Sequence, residues 1–317
     1  MGLEKQFKNL SEQIDILKSK GLIIEDEEYA KEILLRENYF FITGYRHLFL
    51  KSNTDKTYIE GATFEEIYSL FLFDRNIRNV LFKNLLIIEN NLKSIISYQL
   101  SKMYGYRERD YLRSKNFTTN TEKQRQVNDL IKKIKRQVRV NGKENTATEH
   151  YVSNYGYIPL WILVKVLSFG IVSEMYSILK SSDQKDIAAV YGMSVENMLS
   201  YLPVLANYRN LCAHEEILYD HKNQKDIDDT IYHRLLNIKK VDNEYVCGKH
   251  DVFSLIIIMK EYLQNEEFVN MMYELQNAVE TLRYNLKSIK IDKVFNSLGF
   301  PPNWDDLLTI ERRKNDG

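Results

Sequence analysis

One segment concentrates side chains able to act on a phosphodiester: Tyr208-Arg209-Asn210-Leu211-Cys212-Ala213-His214. It closes a run of apolar residues at helical spacing, Val195, Met198, Leu199, Leu202, Leu205 and Leu211. On a helix Asn210 and His214 are four apart and share a face, so the amide can hydrogen-bond the imidazole and set its tautomer. Arg209 stands five residues before His214, about 140° round the helix. Both reach one phosphate only if the arginine curls or the helix ends near His214. A neutral imidazole can take a proton from an RNA 2′-hydroxyl, and a guanidinium can hold phosphate oxygens as charge builds on them. The spacing alone does not choose between this chemistry and a helix-terminal histidine countering the helix dipole, with Arg209 in a salt bridge.

Other charged groups have two readings as well. Asp74, Arg75, Arg78 and Glu89 are spaced to pair along or across helices as an ion network. Alternatively Arg75 and Arg78 meet RNA. His47, beside Arg46, lines a cleft or serves the structure. Trp161 and Phe169 sit at core spacing. The segment from Glu122 to Val140 carries seven basic side chains against Glu122 and Asp129. Its Val127, Leu130, Ile131, Ile134 and Val138 keep a helical stripe, which predicts a basic helix projecting from the body as an insertion. Lys132, Lys133, Lys135 and Arg136 are its expected RNA contacts, the alternative being a solvated face. No HExxH, G-x-S-x-G, G-x-G-x-x-G or Walker-type sequence occurs, and no His, Cys or carboxylate set has metal-ligand spacing. No cofactor and no metal are expected.

The elements that must position these groups are helices. Twelve glycines and four prolines in 317 residues leave too few turn signals for a sandwich or barrel. Lys plus Arg equals Asp plus Glu at 44 each, so net charge alone does not hold the chain on nucleic acid or lipid. Cys212 and Cys247 make no C-x-x-C, and two cysteines suit a reducing cytosol. The first residues show no apolar signal-peptide run. Ile158 to Leu179 is long and apolar but contains Lys165 and Glu174, so it reads as core, not membrane.

Helices are expected over Leu3–Lys20, Glu25–Phe41 and the stretch from Thr63 to Tyr104, this last as one long helix or two nearly continuous ones, which Thr63 and Glu66 open as a capping box. Further helices are expected from Pro159 to about Lys180, from Ser194 with a kink at Pro203, from Asp251 to Gln264 and over Glu266–Lys290. A hairpin is expected at Asp242-Asn243. The fold class is all-α, a multi-helix bundle. Residues 1–60 form an N-terminal helical segment, 61–220 the core with a basic insertion at 105–155, and 221–317 a C-terminal helical segment.

Four segments, taken together, resemble the Abi-like proteins of the AbiD/AbiF abortive-infection type, known from bacterial phage defence within the HEPN superfamily of helical ribonucleases. They are Tyr39-Phe40 to Gly44-Tyr45-Arg46, Phe73-Asp74-Arg75-Asn76-Ile77-Arg78 leading to Ile88-Glu89, Pro159-Leu160-Trp161 with Ser168-Phe169-Gly170, and Arg209 to His214. The resemblance implies an HEPN-type bundle and a metal-independent endoribonuclease with Arg209 and His214 as the catalytic pair and Asn210 beside them. It also implies a homodimer that brings two such motifs together, and an inhibitory partner, either a small RNA or a protein antitoxin. The chain departs from the pattern at Glu215-Glu216, where a basic or polar continuation is usual, and at Lys93, where Arg is common. The expected function is a cytoplasmic phage-defence or toxin-like ribonuclease acting on RNA. The alternative is a non-catalytic helical module that binds RNA or a phage protein.

Overall fold

The structure, a computed structural model, describes residues 6–52, 54–141 and 146–312. It is all-α. In chain order the helices are α1 (Leu10–Ser19), α2 (Glu27–Glu37), α3 (Phe40–Tyr45), α4 (Phe64–Tyr104), α5 (Glu108–Tyr111), α6 (Gln124–Asn141), α7 (Thr146–Tyr155), α8 (Leu160–Val166), α9 (Phe169–Ser177), α10 (Ser181–Val190) and α11 (Val195–Ala213). Then follow α12 (Ile231–Leu235), the strands β1 (Lys240–Val241) and β2 (Glu244–Tyr245), α13 (Val252–Tyr262), α14 (Asn265–Asn285) and α15 (Ile291–Leu298).

The 41-residue α4 is the axis of the molecule, a rod of roughly 60 Å at 1.5 Å per residue. The expected capping box opens it: the Glu66 amide donates to the Thr63 hydroxyl at 3.1 Å, and Glu66 Oε2 accepts from the Thr63 amide at 3.2 Å. The other Glu66 oxygen accepts from the amides of Lys287 and Ser288, tying the end of α14 to the start of the rod. Gly105, at φ +91°, ends it in a backbone conformation that a side chain would strain. Leu70, Leu81, Leu85, Leu92 and Ile96 are fully buried, because α3, α8, α10, α11, α13 and α14 all pack against α4. From Val252 to Met259 every residue of α13 is buried, as an all-round apolar sequence requires.

Several sequence expectations shift on folding. Residues 6–9 are not helical; Asn9 caps α1 with a capping box to Glu12, and the start of the expected helix lies outside the described residues. The expected helix over Glu25–Phe41 breaks at Asn38, whose φ of +66° no helix accommodates. The expected single helix after Pro159 is two, because Leu167 is extended and the Ser168 hydroxyl caps α9 by accepting from the Ile171 amide. Leu160 and Phe169 are core, but Trp161 is 43% exposed. Helix α11 begins at its Ser194 cap as expected and continues past Pro203 to Ala213. The basic helix does not project: Val127, Leu130 and Ile134 are fully buried where α6 lies against α8 and α9. The small hairpin turns at Asp242-Asn243, both with positive φ, as a two-residue turn of this kind demands. Among the described residues no helix is long and apolar enough to cross a membrane.

Candidate active site

The end of α11 is closed by its own backbone. The Glu216 amide donates to the Leu211 carbonyl at 3.1 Å and the Glu215 amide to Cys212 at 3.3 Å, a Schellman arrangement with Glu215 at φ +55°. His214 is the C-cap, and its amide donates to the Asn210 carbonyl at 3.0 Å. The helix therefore ends at His214, the condition under which Arg209 and His214 can serve one phosphate. Asn210 and His214 are both exposed, and among the described residues no hydrogen bond links their side chains. The left-handed conformation is costly for any residue with a Cβ. Glu215→Gly is therefore expected to stabilise the protein by about 1 kcal/mol, seen as a raised urea midpoint; an unchanged midpoint would mean the turn carries no strain.

Two carboxylates on α4 hold this region. Glu89 is buried, with one oxygen 2.7 Å from Lys93 Nζ and the other 2.9 Å from Arg209 Nε. Arg209 is half-buried and its Nε is pinned by this carboxylate. The sequence's ion-pair reading of Arg209 is thus realised. It also orients the guanidinium, so the two readings are compatible.

Fifteen residues earlier, about 22 Å along the helix, Asp74 is fully buried. It accepts from the Tyr45 hydroxyl at 2.7 Å, from Arg78 at 2.8 Å, and from the amides of Leu218 and Tyr219. Burial outweighs these four donors and leaves its carboxyl raised to about 6. Arg78 also donates to the Glu216 carbonyl at 2.9 Å. Arg78 is therefore a buried clamp on the chain leaving the motif. The expectation that it meets RNA does not hold, because no face of it is open to a phosphate. Arg75 sits at the surface but is held in a two-point pair with Glu37, its guanidinium 4.5 Å from the Phe71 ring centre. Gly44 allows the closest approach here: a Cβ would lie 2.5 Å from the Ile217 side chain.

His47 stacks on Tyr219 and lies within 3.0 Å of Asp220, a structural place at the edge of this cluster. Cys212 lies beneath the motif, and burial pushes its thiol up to about 12, so it stays protonated. A groove of about 730 Å³ opens beside His214, with Phe40, Phe41 and Phe71 in its walls and Glu37, Glu215 and Glu216 at its rim.

The four expected RNA contacts on α6 are all exposed. Lys132, Lys133 and Arg136 line a shallow groove of about 660 Å³ that Glu122, Asp129 and Glu174 share, and Lys135 lies outside it. Lys133 pairs with Glu174 at 2.8 Å and Lys132 approaches Asp129 at 3.8 Å. Among the described residues no group of three His, Cys, Asp or Glu side chains is placed to hold a metal ion.

What the sequence did not show was the reach of Asp74 to Leu218 and Tyr219, 144 and 145 residues away. The i,i+4 spacing of Asp74 with Arg78 and of Glu89 with Lys93 was the only trace of it. The segments that converge here, from α3, from the middle of α4 and from the end of α11, all fall inside one matched region. The profile of the Abi-like protein family matches residues 32–220, more than half of the chain. No curated protein and no solved structure matches. Family membership implies a part in phage defence by abortive infection, and the chain that clamps its α11 motif in this way belongs to the Abi-like family.

Proposed function

We propose that the protein is an HEPN-type, metal-independent endoribonuclease of the AbiD/AbiF kind, restrained in the bacterial cytoplasm until infection. The observation that carries this reading is the pairing at the end of α11. Arg209 is pinned through Nε by a buried carboxylate, and the exposed His214 imidazole has no partner among the described residues. His214 takes the proton of an RNA 2′-hydroxyl as that oxygen attacks the adjacent phosphorus. The bond from phosphorus to O5′ breaks, leaving a 2′,3′-cyclic phosphate, and Arg209 neutralises the charge that builds on the phosphorane. Asn210, exposed beside them, holds the phosphate or the sugar.

The leaving O5′ needs a proton, and one motif has a single imidazole. A homodimer with the two motifs at its axis supplies a second, His214 of the partner subunit. Lys132, Lys133, Lys135 and Arg136 draw RNA to α6, with Arg75 contributing if RNA displaces it from Glu37. An inhibitory small RNA or protein antitoxin keeps such an activity silent. The test is cleavage of RNA carrying one 2′-deoxy nucleotide, in EDTA. Cutting is expected everywhere except at the substituted position. Cutting at that position, or loss of all cutting in EDTA, would sink the mechanism. The acidic rim beside His214 favours a second reading, a non-catalytic binding module, which an RNA-binding but inert wild type would establish.

A further inference from the structure

A second surface carries exposed and half-buried aromatic rings in series. His150, Tyr151, Tyr155, Tyr157, Tyr106 and Trp161 form a ladder that runs from α7 through the loop before α8 to the loop between α4 and α5 and to α8. Successive ring centres are 5.5 to 6.2 Å apart: Tyr151 to Tyr155 5.5 Å, Tyr155 to Tyr157 6.2 Å, Tyr157 to Tyr106 5.5 Å and Tyr106 to Trp161 6.1 Å. Tyr155 is 57% exposed, and Tyr106 and Trp161 just over 40%. So much aromatic surface is left in water only at some cost in hydration free energy.

The ladder is also cationic. The Arg107 guanidinium lies between two rungs, 5.6 Å from the Tyr106 ring centre and 5.1 Å from that of Tyr157. Beside Tyr106 and Trp161 runs a groove of about 470 Å³, edged by Lys102, Tyr98 and serine hydroxyls, with no carboxylate in its lining. The acidic residues of α5 are already engaged, Glu108 by the Ile158 amide and Asp110 by Arg113. Glu149 on α7 is the carboxylate nearest in sequence to the other end. The basic helix α6 packs against both α7 and α8.

Exposed rings at this spacing, interleaved with a guanidinium and an ammonium group, match unpaired bases joined by phosphates. We propose that this ladder binds single-stranded nucleic acid. Bases stack on Tyr106, Tyr157 and Trp161, and Arg107 and Lys102 hold the phosphates between them. Duplex is excluded because its bases are already stacked on one another. Stacking does not read the 2′-hydroxyl, so single-stranded DNA binds as well as RNA and is left uncut. Tyr98, on the groove's edge, is nine residues beyond Glu89 on α4, half a turn away round the helix. The ladder is thus distinct from the α11 site. It rests on the ribonuclease reading only for what strand it holds in the cell.

The chain supplies its own reporter. Of its two tryptophans, Trp161 is exposed and Trp304 is 4% exposed. Titrating the full chain with a short oligodeoxyadenylate is expected to quench Trp161 fluorescence, and the same strand in a duplex to leave it unchanged. Trp161→Phe should abolish the quench while anisotropy of a labelled strand shows affinity retained. Tyr106→Ala and Tyr157→Ala should each weaken binding about fivefold to a hundredfold. Absence of a quench, equal binding of duplex, or unaltered affinity in the tyrosine variants would overturn the proposal. So would a ladder variant that turns a dimer into a monomer, since a second copy would then cover these rings. An active ribonuclease without the quench loses this proposal alone, and a quench without cleavage loses only the other.

Discussion

His214→Ala is expected to cut RNA roughly 10²–10⁴-fold more slowly than the wild type, with helix content and urea midpoint unchanged. The side chain is exposed at the C-cap of α11, and only its main chain takes part in closing the helix. Surface truncations of this kind move stability by about 0.5 kcal/mol or less. Loss of rate would therefore report chemistry and not folding. Arg209→Ala should lose as much activity but is a less clean probe. Glu89 is buried and would be left with Lys93 as its only cationic partner among the described residues. Glu89→Gln, which keeps the shape but weakens the hold on Arg209 Nε, should fall between. Single-turnover cleavage with purified variants decides the matter. Full activity in His214→Ala would falsify the assignment of this motif.

The largest loss of stability is expected from Asp74→Ala, about 3–5 kcal/mol. Removing this carboxylate strips a buried guanidinium of its counter-ion and leaves the Tyr45 hydroxyl and the amides of Leu218 and Tyr219 without their acceptor. Arg78 is itself buried and cannot turn to water. Against a typical stability of about 5–15 kcal/mol, such a loss leaves the fold marginal. The turn after α11 should open first, because Asp74 and Arg78 are what fix residues 216–219. A companion variant keeps the test sharp if the single one fails to fold. Asp74→Leu combined with Arg78→Met removes both charges and should recover part of the loss. Equilibrium urea unfolding measures both. A midpoint unmoved by Asp74→Ala would show that the buried cluster holds nothing together.

The all-α class, the helical character of 63–104 and the Thr63, Ser194 and Asp251 caps followed from the sequence, because each rests on interactions within a few residues. Helical periodicity marks a buried face, and a cap needs only the next turn. The turn at Asp242-Asn243 followed for the same reason. Breaks inside apolar runs did not follow. Asn38 and Ser168 interrupt stretches whose periodicity continues on both sides, and whether such residues end a helix depends on what packs against the next turn.

The candidate site divides along the same line. Arg209, Asn210 and His214 could be named from their types and order, and the four segments, of which theirs is one, were recognisable together. Their environment is non-local. Glu89 stands 120 residues from Arg209, and Asp74 more than 140 from the amides it holds. The sequence could say that Arg78 was charged and well spaced, but only the packing of α3 and of the chain after α11 over α4 buried it as a clamp. Trp161 shows the converse. Its spacing matched the core, yet the short α8 turns it outward to end a ladder of rings whose members come from three separate stretches of chain. Local chemistry decided which groups the protein owns, and tertiary packing, through burial and charge pairing, decided which of them are free to act.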